Sequence, residues 1–388
     1  MPRALVLGDL HLRSGGDPRA ARALLGLLER EPDASVVFAG DCLDLAAETC
    51  DEGAAVAHTL SVEPRLAQAI AERAARGVRT VFVAGNHDAA IAHDAATRAL
   101  HDLLGLAPED RRHVRTEPWF VQLAGGAVHV EHGHVYDPDG APAHPLAPIA
   151  RDDVGISILR RFIVPVDAHE LVAHNAEAPL PLLMRVIRKY GARAPYVIYL
   201  YIHSAFATWL SSGDRYPLGV DRAEGARRIE AYAREAGVDR ETLDLLLDAH
   251  ATPTRAHASE TFLRLYLDRV LATTAVLGGA SMGVAGAALG VTSLSIAGLP
   301  IAAVGALSLA ASLLTTGINR YGGRVERTLA EGAARAAEIT GAKTVILGHA
   351  HVDASGPRYR NTASFAFLPG HPYLRVEDDG TVERGFAR

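Results

Sequence analysis

From Val270 to Asn319 the chain runs for fifty residues without one charged side chain. That is long enough for two spans of about 20 residues each, and ordinary globular helices are about half as long as the run would allow. A turn signal near Val291–Ser295, followed by Pro300, divides it into a helical hairpin over 270–290 and 296–317. Gly279/Gly283 and Gly286/Gly290 stand at a spacing of four, which lets helix backbones approach closely in lipid. Arg264 and Arg269 flank one end, and Arg320, Arg324 and Arg327 the other, so both ends read as cytoplasmic. The hairpin 270–319 is therefore expected to be transmembrane or membrane-embedded. Its rich content of Ala, Gly, Ser and Thr keeps a buried or oligomer-forming helix pair as the alternative.

The rest of the 388 residues is of ordinary composition. With 49% hydrophobic and 22% charged residues the chain is not disordered, and two cysteines cannot build a disulfide framework. Cys42 and Cys50 fit a reducing compartment. A net charge of −6, from 39 basic and 45 acidic residues, disfavours extended nucleic acid as a partner. Arg111, Arg112 and Arg115 read as a solvated run on the surface. The start, MPRALVLGDLHL, lacks the apolar length and cleavage site of a signal peptide, which predicts a cytoplasmic beginning.

Short apolar runs at Ala4–Leu7, Ser35–Ala39 and Thr80–Ala84 each end at a glycine-containing turn, and helical patterns such as Glu63–Arg76 separate them. Trp119–Leu123 and Ala127–Glu131 flank Gly125-Gly126 as a hairpin. Strand patterning returns at Thr344–Leu347 and continues to a last turn at Asp379-Gly380. This alternation predicts an α/β layered domain. Between 136 and 334 the character changes: turns at Pro138, Pro142, Pro145 and Pro148 give way to helical periodicity. Tyr196–Gly213 is uncharged and holds five aromatic residues, which suits a membrane interface or a core helix equally. The expected organisation is one catalytic domain over 1–135 and 335–388, split by a helical insertion over 136–334.

The chemistry sits at the strand ends. GDLH supplies Asp9 and His11 after the first strand, and GDCLD supplies Asp41 and Asp44 after the second. GNHD supplies Asn86, His87 and Asp88 after the third, EHGH supplies His132, and GHAH supplies His349 and His351. Residues beyond the carboxyl ends of strands in an α/β sheet converge on one crevice. Any one of these pieces alone reads as loop chemistry, with Gly for the turn and Asp or Asn as a cap. Five in order give oxygen and imidazole ligands suited to Mn, Fe or Zn.

In these motifs the chain resembles the calcineurin-like metallophosphoesterase superfamily, whose pattern is DxH, GDxxD, GNH(D/E), H and GHxH. Tyr359, Asn361 and Thr362 also match its final strand. The resemblance implies a four-layer αββα sandwich with two divalent metals, manganese first, at its rim. It assigns Asp9, His11 and His351 to one metal, Asp41 to the bridge, and Asn86, His132 and His349 to the second metal. It implies that a hydroxide bridging the metals attacks phosphorus while His87, oriented by Asp44, protonates the leaving oxygen. His134 is a candidate supporting residue. Relatives of the protein Ser/Thr phosphatases commonly carry Arg after GDxxD; Leu45 stands here, which weakens a phosphoprotein reading.

The expected substrate is an amphiphilic, lipid-linked phosphoester or pyrophosphate, acted on at the cytoplasmic face of a membrane. Relatives that hydrolyse UDP-2,3-diacylglucosamine follow that logic, with an apolar insertion holding acyl chains. The alternative is a membrane-anchored phosphatase or phosphodiesterase with a soluble substrate. A non-catalytic membrane scaffold is disfavoured by the complete ligand set. Arg160, Arg161, Arg185, Arg188 and Lys189 read as exposed faces of amphipathic helices, with anionic headgroups as the alternative partner.

Overall fold

The computed structural model describes residues 3–147, 152–174 and 179–387; Pro148 lies outside them. Contacts divide the chain into two units: residues 1–160, 217–253 and 325–388 form one, residues 161–216 and 254–324 the other.

Among its described residues the first unit holds ten strands. They are β1 (Ala4–Leu7), β2 (Ser35–Ala39), β3 (Thr80–Val83), β4 (Val114–Glu117), β5 (Phe120–Leu123), β6 (Val128–Glu131), β7 (Thr344–Leu347), β8 (Tyr359–Asn361), β9 (Pro372–Val376) and β10 (Val382–Phe386). One sheet has the order β10-β9-β1-β2-β3-β4 and the other β5-β6-β7-β8. β1 to β4 run parallel, as do β6 to β8. The two expected hairpins form, β5 with β6 and β9 with β10.

Strand side chains alternate between faces, and both faces here are covered, so the strands read as unbroken apolar runs. Val6, Val37, Val81 and Val83 meet Val128, Val130 and Ile346 between the sheets. Leu5, Leu7, Phe38 and Phe82 point the other way, under helices Arg19–Arg30, Glu52–Leu60, Pro64–Ala75 and Asp94–Leu103. Helices Leu218–Ala236, Arg240–Asp248 and Arg324–Thr340 bury Ile229, Leu243, Leu329 and Ala333 on the outer face of the second sheet. These are mixed α/β sheets in the expected αββα sandwich.

The boundaries differ from the expected 136–334 insertion. Residues 136–147, 152–160, 217–253 and 325–334 fold with the sandwich, because they supply most of its fourth layer. Tyr232 shows why: its hydroxyl donates to the Phe120 carbonyl at 3.1 Å and accepts from the Phe120 amide at 3.2 Å, which satisfies the edge of β5.

The second unit contains the apolar hairpin, as helices Leu267–Leu289 and Thr292–Thr316. Both are long and apolar enough to cross a membrane. The turn is Gly290-Val291, with Gly290 left-handed at φ 70°, and Pro300 lies inside the second helix. The close approach also differs from the expected spacing of four. The buried glycines are Gly279 and Gly286 on one helix and Gly298 and Gly305 on the other, each pair seven apart. A Cβ on Gly298 would stand 2.5 Å from the Gly279 carbonyl and 2.6 Å from the Gly283 nitrogen, whereas one on Gly283 would meet nothing. Backbone cannot yield as a side chain does. Gly298→Val should therefore force the helices apart and cost about 1–3 kcal/mol, read as earlier thermal unfolding in detergent. Gly283→Ala should match wild type; equal melting of both variants contradicts this seam.

Candidate metal centre

The site residues hold an unusual backbone. Asp9, His11, Asp41, His349 and His351 all have positive φ, from 46° to 66°. Each such residue costs on the order of 1–3 kcal/mol when it is not glycine, and such costs cluster where side chains must be aimed. Here the turns are held by the ends of the strands: Asp9 N donates to Gly40 O, His11 N to Asp41 O, and Gly348 N to His132 O. The Asp88 carboxylate accepts from the amides of Asp41, Cys42, Leu43 and Gly85 at 2.7–3.2 Å, clamping the second and third motif loops together.

These loops gather Asp9, His11, Asp41, His132, His349 and His351 into ligand groups. Asp9, His11 and His351 form one group, and Asp41, His132 and His349 a second; His11, Asp41 and His87 lie within the same reach. His11 Nε2 and His351 Nε2 are 3.1 Å apart, and His351 Nε2 is 3.2 Å from Asp9 Oδ1. His132 donates from Nδ1 to the Ala39 carbonyl at 3.0 Å. That leaves Nε2 as a lone pair, 3.2 Å from Asp41 Oδ2 and without a hydrogen bond. Asn86 Oδ1 is likewise buried and unpaired. Lone pairs facing one another in a buried crevice are unfavourable unless a cation lies among them. The donor set therefore fits two divalent metals, which would supply Lewis-acid charge to the phosphoryl oxygens and a nucleophile at neutral pH.

His87 sits beside this set. Its Nδ1 donates to Asp44 Oδ1 at 2.8 Å, which leaves Nε2 to face a substrate, and its amide donates to Asp41 Oδ1 at 2.8 Å. Burial works against a charged imidazole, but Asp41 and Asp44 outweigh it and push the His87 pKa up to about 10. Cations at the site would pull that value back down. Burial opposes charge on Asp41 too, yet in the metal-free site positive charge on His132 and His87 holds its carboxyl well below the usual range, the place that cations would take.

Sequence reasoning missed three contributors. Asp153 accepts from Asn86 Nδ2 at 3.1 Å and caps helix Val154–Ile158 through Ile156 N at 2.7 Å. It thereby fixes the amide so that Oδ1 is the free atom. Asp137 receives His349 Nε2 at 3.0 Å, leaving Nδ1 as the ligand atom. Phe367 stacks on His11 with centroids 5.4 Å apart and tilts against His351 at 5.3 Å. The only sequence trace of the first two is an Asp before a turn or helix, which is common. His134 is buried, with its ring 5.3 Å from that of His132.

A cavity of about 260 Å³ opens beside Asn86 and His87, lined further by His93, His144, Asp153 and Arg160. Arg160 is not simply solvated: Nε donates to the Ala46 carbonyl at 3.1 Å and Nη1 pairs with Asp152 at 2.7 Å. Arg111 and Arg115 do behave as surface charges, paired with Asp102 and Glu117.

A sandwich with Asp/His ligand groups at its strand ends defines a metal-dependent phosphoesterase. The family model described as calcineurin-like phosphoesterase matches residues 2–190, and that part of the chain is a domain of this family, whose members are hydrolases acting on phosphoesters. No curated protein matches the chain. The matched range ends before His349 and His351; their place rests on geometry, with the His349 amide 3.2 Å from both Asp9 carboxylate oxygens.

Proposed function

We propose that this phosphoesterase, with manganese as its occupant, hydrolyses a phosphoester or pyrophosphate of a lipid-linked substrate at the cytoplasmic face of a membrane. The observation that carries the lipid part is the outside of the hairpin. Of the most apolar stretch of each helix, only 17% and 11% is buried within the protein. Leu289 is 73% exposed and Leu314 87%. The small residues face the seam and the large ones face out, as expected where lipid covers the exterior. The second helix has 25 residues, or about 37 Å, which exceeds a hydrocarbon core of about 30 Å.

The base of the hairpin supports the same reading. Arg269 donates to the carbonyls of Ile318 and Gly317, and Arg320 pairs with Asp268 at 2.5 Å. Arg269 and Arg320 stack over Tyr266, and Arg264 over Tyr321. Tyrosines and arginines at one level suit a headgroup region. A cavity of about 260 Å³ accepts a phosphorylated headgroup and leaves acyl chains outside. The same small cavity, lined by His93, His144, Asp153 and Arg160, also suits the second reading, a membrane-anchored enzyme with a soluble substrate.

Membrane fractionation of the full chain beside a form lacking 270–319 tests the placement. The full chain should stay with membranes through an alkaline wash, and the deletion should move to the soluble fraction. A full chain that is soluble without detergent contradicts insertion. Rates on acylated and short soluble phosphodiesters in micelles then separate the two readings, because equal rates exclude the lipid-linked one.

A further inference from the structure

Away from the Asp/His groups, the turn before helix Glu52–Leu60 and the end of that helix bring three different ligand types together. Glu48, Cys50 and His58 each offer one atom within 4.8 Å of the others. His58 Nδ1 lies 3.6 Å from Cys50 Sγ and 3.5 Å from Glu48 Oε2. A tetrahedral zinc ion with bonds of about 2.0–2.1 Å to nitrogen, 2.0–2.2 Å to oxygen and 2.3 Å to sulfur sets ligand edges near 3.4 Å for N to O and 3.6 Å for N to S. Both observed separations match those edges.

We infer that Glu48, Cys50 and His58 form a third, mononuclear metal site that takes zinc. A thiolate, an imidazole and a carboxylate suit zinc and not magnesium or calcium. Two anionic ligands would neutralise the ion, and a fourth position would remain for water. The site is partly set in advance: the Ser14 amide donates to Glu48 Oε1 at 3.0 Å, so Oε2 is the oxygen turned towards His58. The Asp51 carboxylate caps the helix through Ala54 N at 3.0 Å, which fixes the chain between Cys50 and His58. Glu48 and Cys50 also line the cavity that contains Asn86 and His87, so the zinc would border the substrate path. This inference does not depend on the lipid-linked reading.

The test uses the full-length protein loaded with manganese. Reaction of Cys50 with a disulfide reagent is followed with and without added zinc; Cys42 is buried, so the exposed thiol is the one measured. Zinc should slow that reaction at least about tenfold, since a coordinated thiolate is withdrawn from attack. Metal analysis should find about one more zinc in wild type than in Cys50→Ser. Zinc that replaces manganese at the Asp/His groups is common to both proteins and cancels. His58→Ala should abolish the protection while leaving a reactive thiol. An unchanged reaction rate with zinc, or equal zinc content in wild type and Cys50→Ser, overturns the site.

Discussion

His87→Ala should lower kcat by about 10²–10⁴-fold on a phosphodiester with an alkyl leaving group, the range expected for a lost general acid. Metal content should be largely unchanged, because the expected metal ligands are Asp9, His11, Asp41, Asn86, His132, His349 and His351, and His87 Nδ1 is occupied by Asp44. The imidazole is held at Nδ1 by Asp44 and its Nε2 is the atom left for the leaving oxygen. A nitrophenyl leaving group needs little protonation, so the loss there should be much smaller. That dependence on the leaving group distinguishes proton donation from damage to the fold, which would lower both rates alike. Equal losses on the two substrates would contradict the role.

The second large effect concerns Asp41. It is the one carboxylate shared by the group with His132 and His349 and the group with His11 and His87. One oxygen accepts from the His87 amide at 2.8 Å and the other lies 3.2 Å from His132 Nε2. Asp41→Asn keeps the shape but removes the charge that two cations would share. Loss of a partner that merely orients a ligand costs 10–100-fold in metal affinity or activity. Removal of the shared charge should exceed that, with metal and activity lost together.

Much of this site was legible in sequence because an α/β sheet delivers strand ends to one edge. Asp9, Asp41, Asn86, His132 and His349 each follow a strand in chain order, so the ligand set could be read before any coordinates. Asp137 and Asp153 could not, since they act by holding His349 and Asn86, respectively, and carry no spacing of their own. The fourth layer was hidden for a similar reason. Helix Leu218–Ala236 looks like any amphipathic helix, and the reason it belongs to the sandwich is the bond from Tyr232 to Phe120, 112 residues away. In the hairpin, glycines four and seven apart fall on nearly the same helix face. Which pair forms the seam depends on the rotation of each helix, and a single helix does not specify that.

The central claim is that the Asp/His groups hold two catalytic metals. It is tested most directly by measuring the metal-to-protein ratio and phosphodiester turnover of wild type and Asp41→Asn side by side, each before and after chelation. Wild type should carry about two divalent ions, lose turnover on chelation and regain it with manganese, while Asp41→Asn carries fewer ions and stays inactive. Turnover that survives complete metal removal, or full metal content and activity in Asp41→Asn, would contradict the claim.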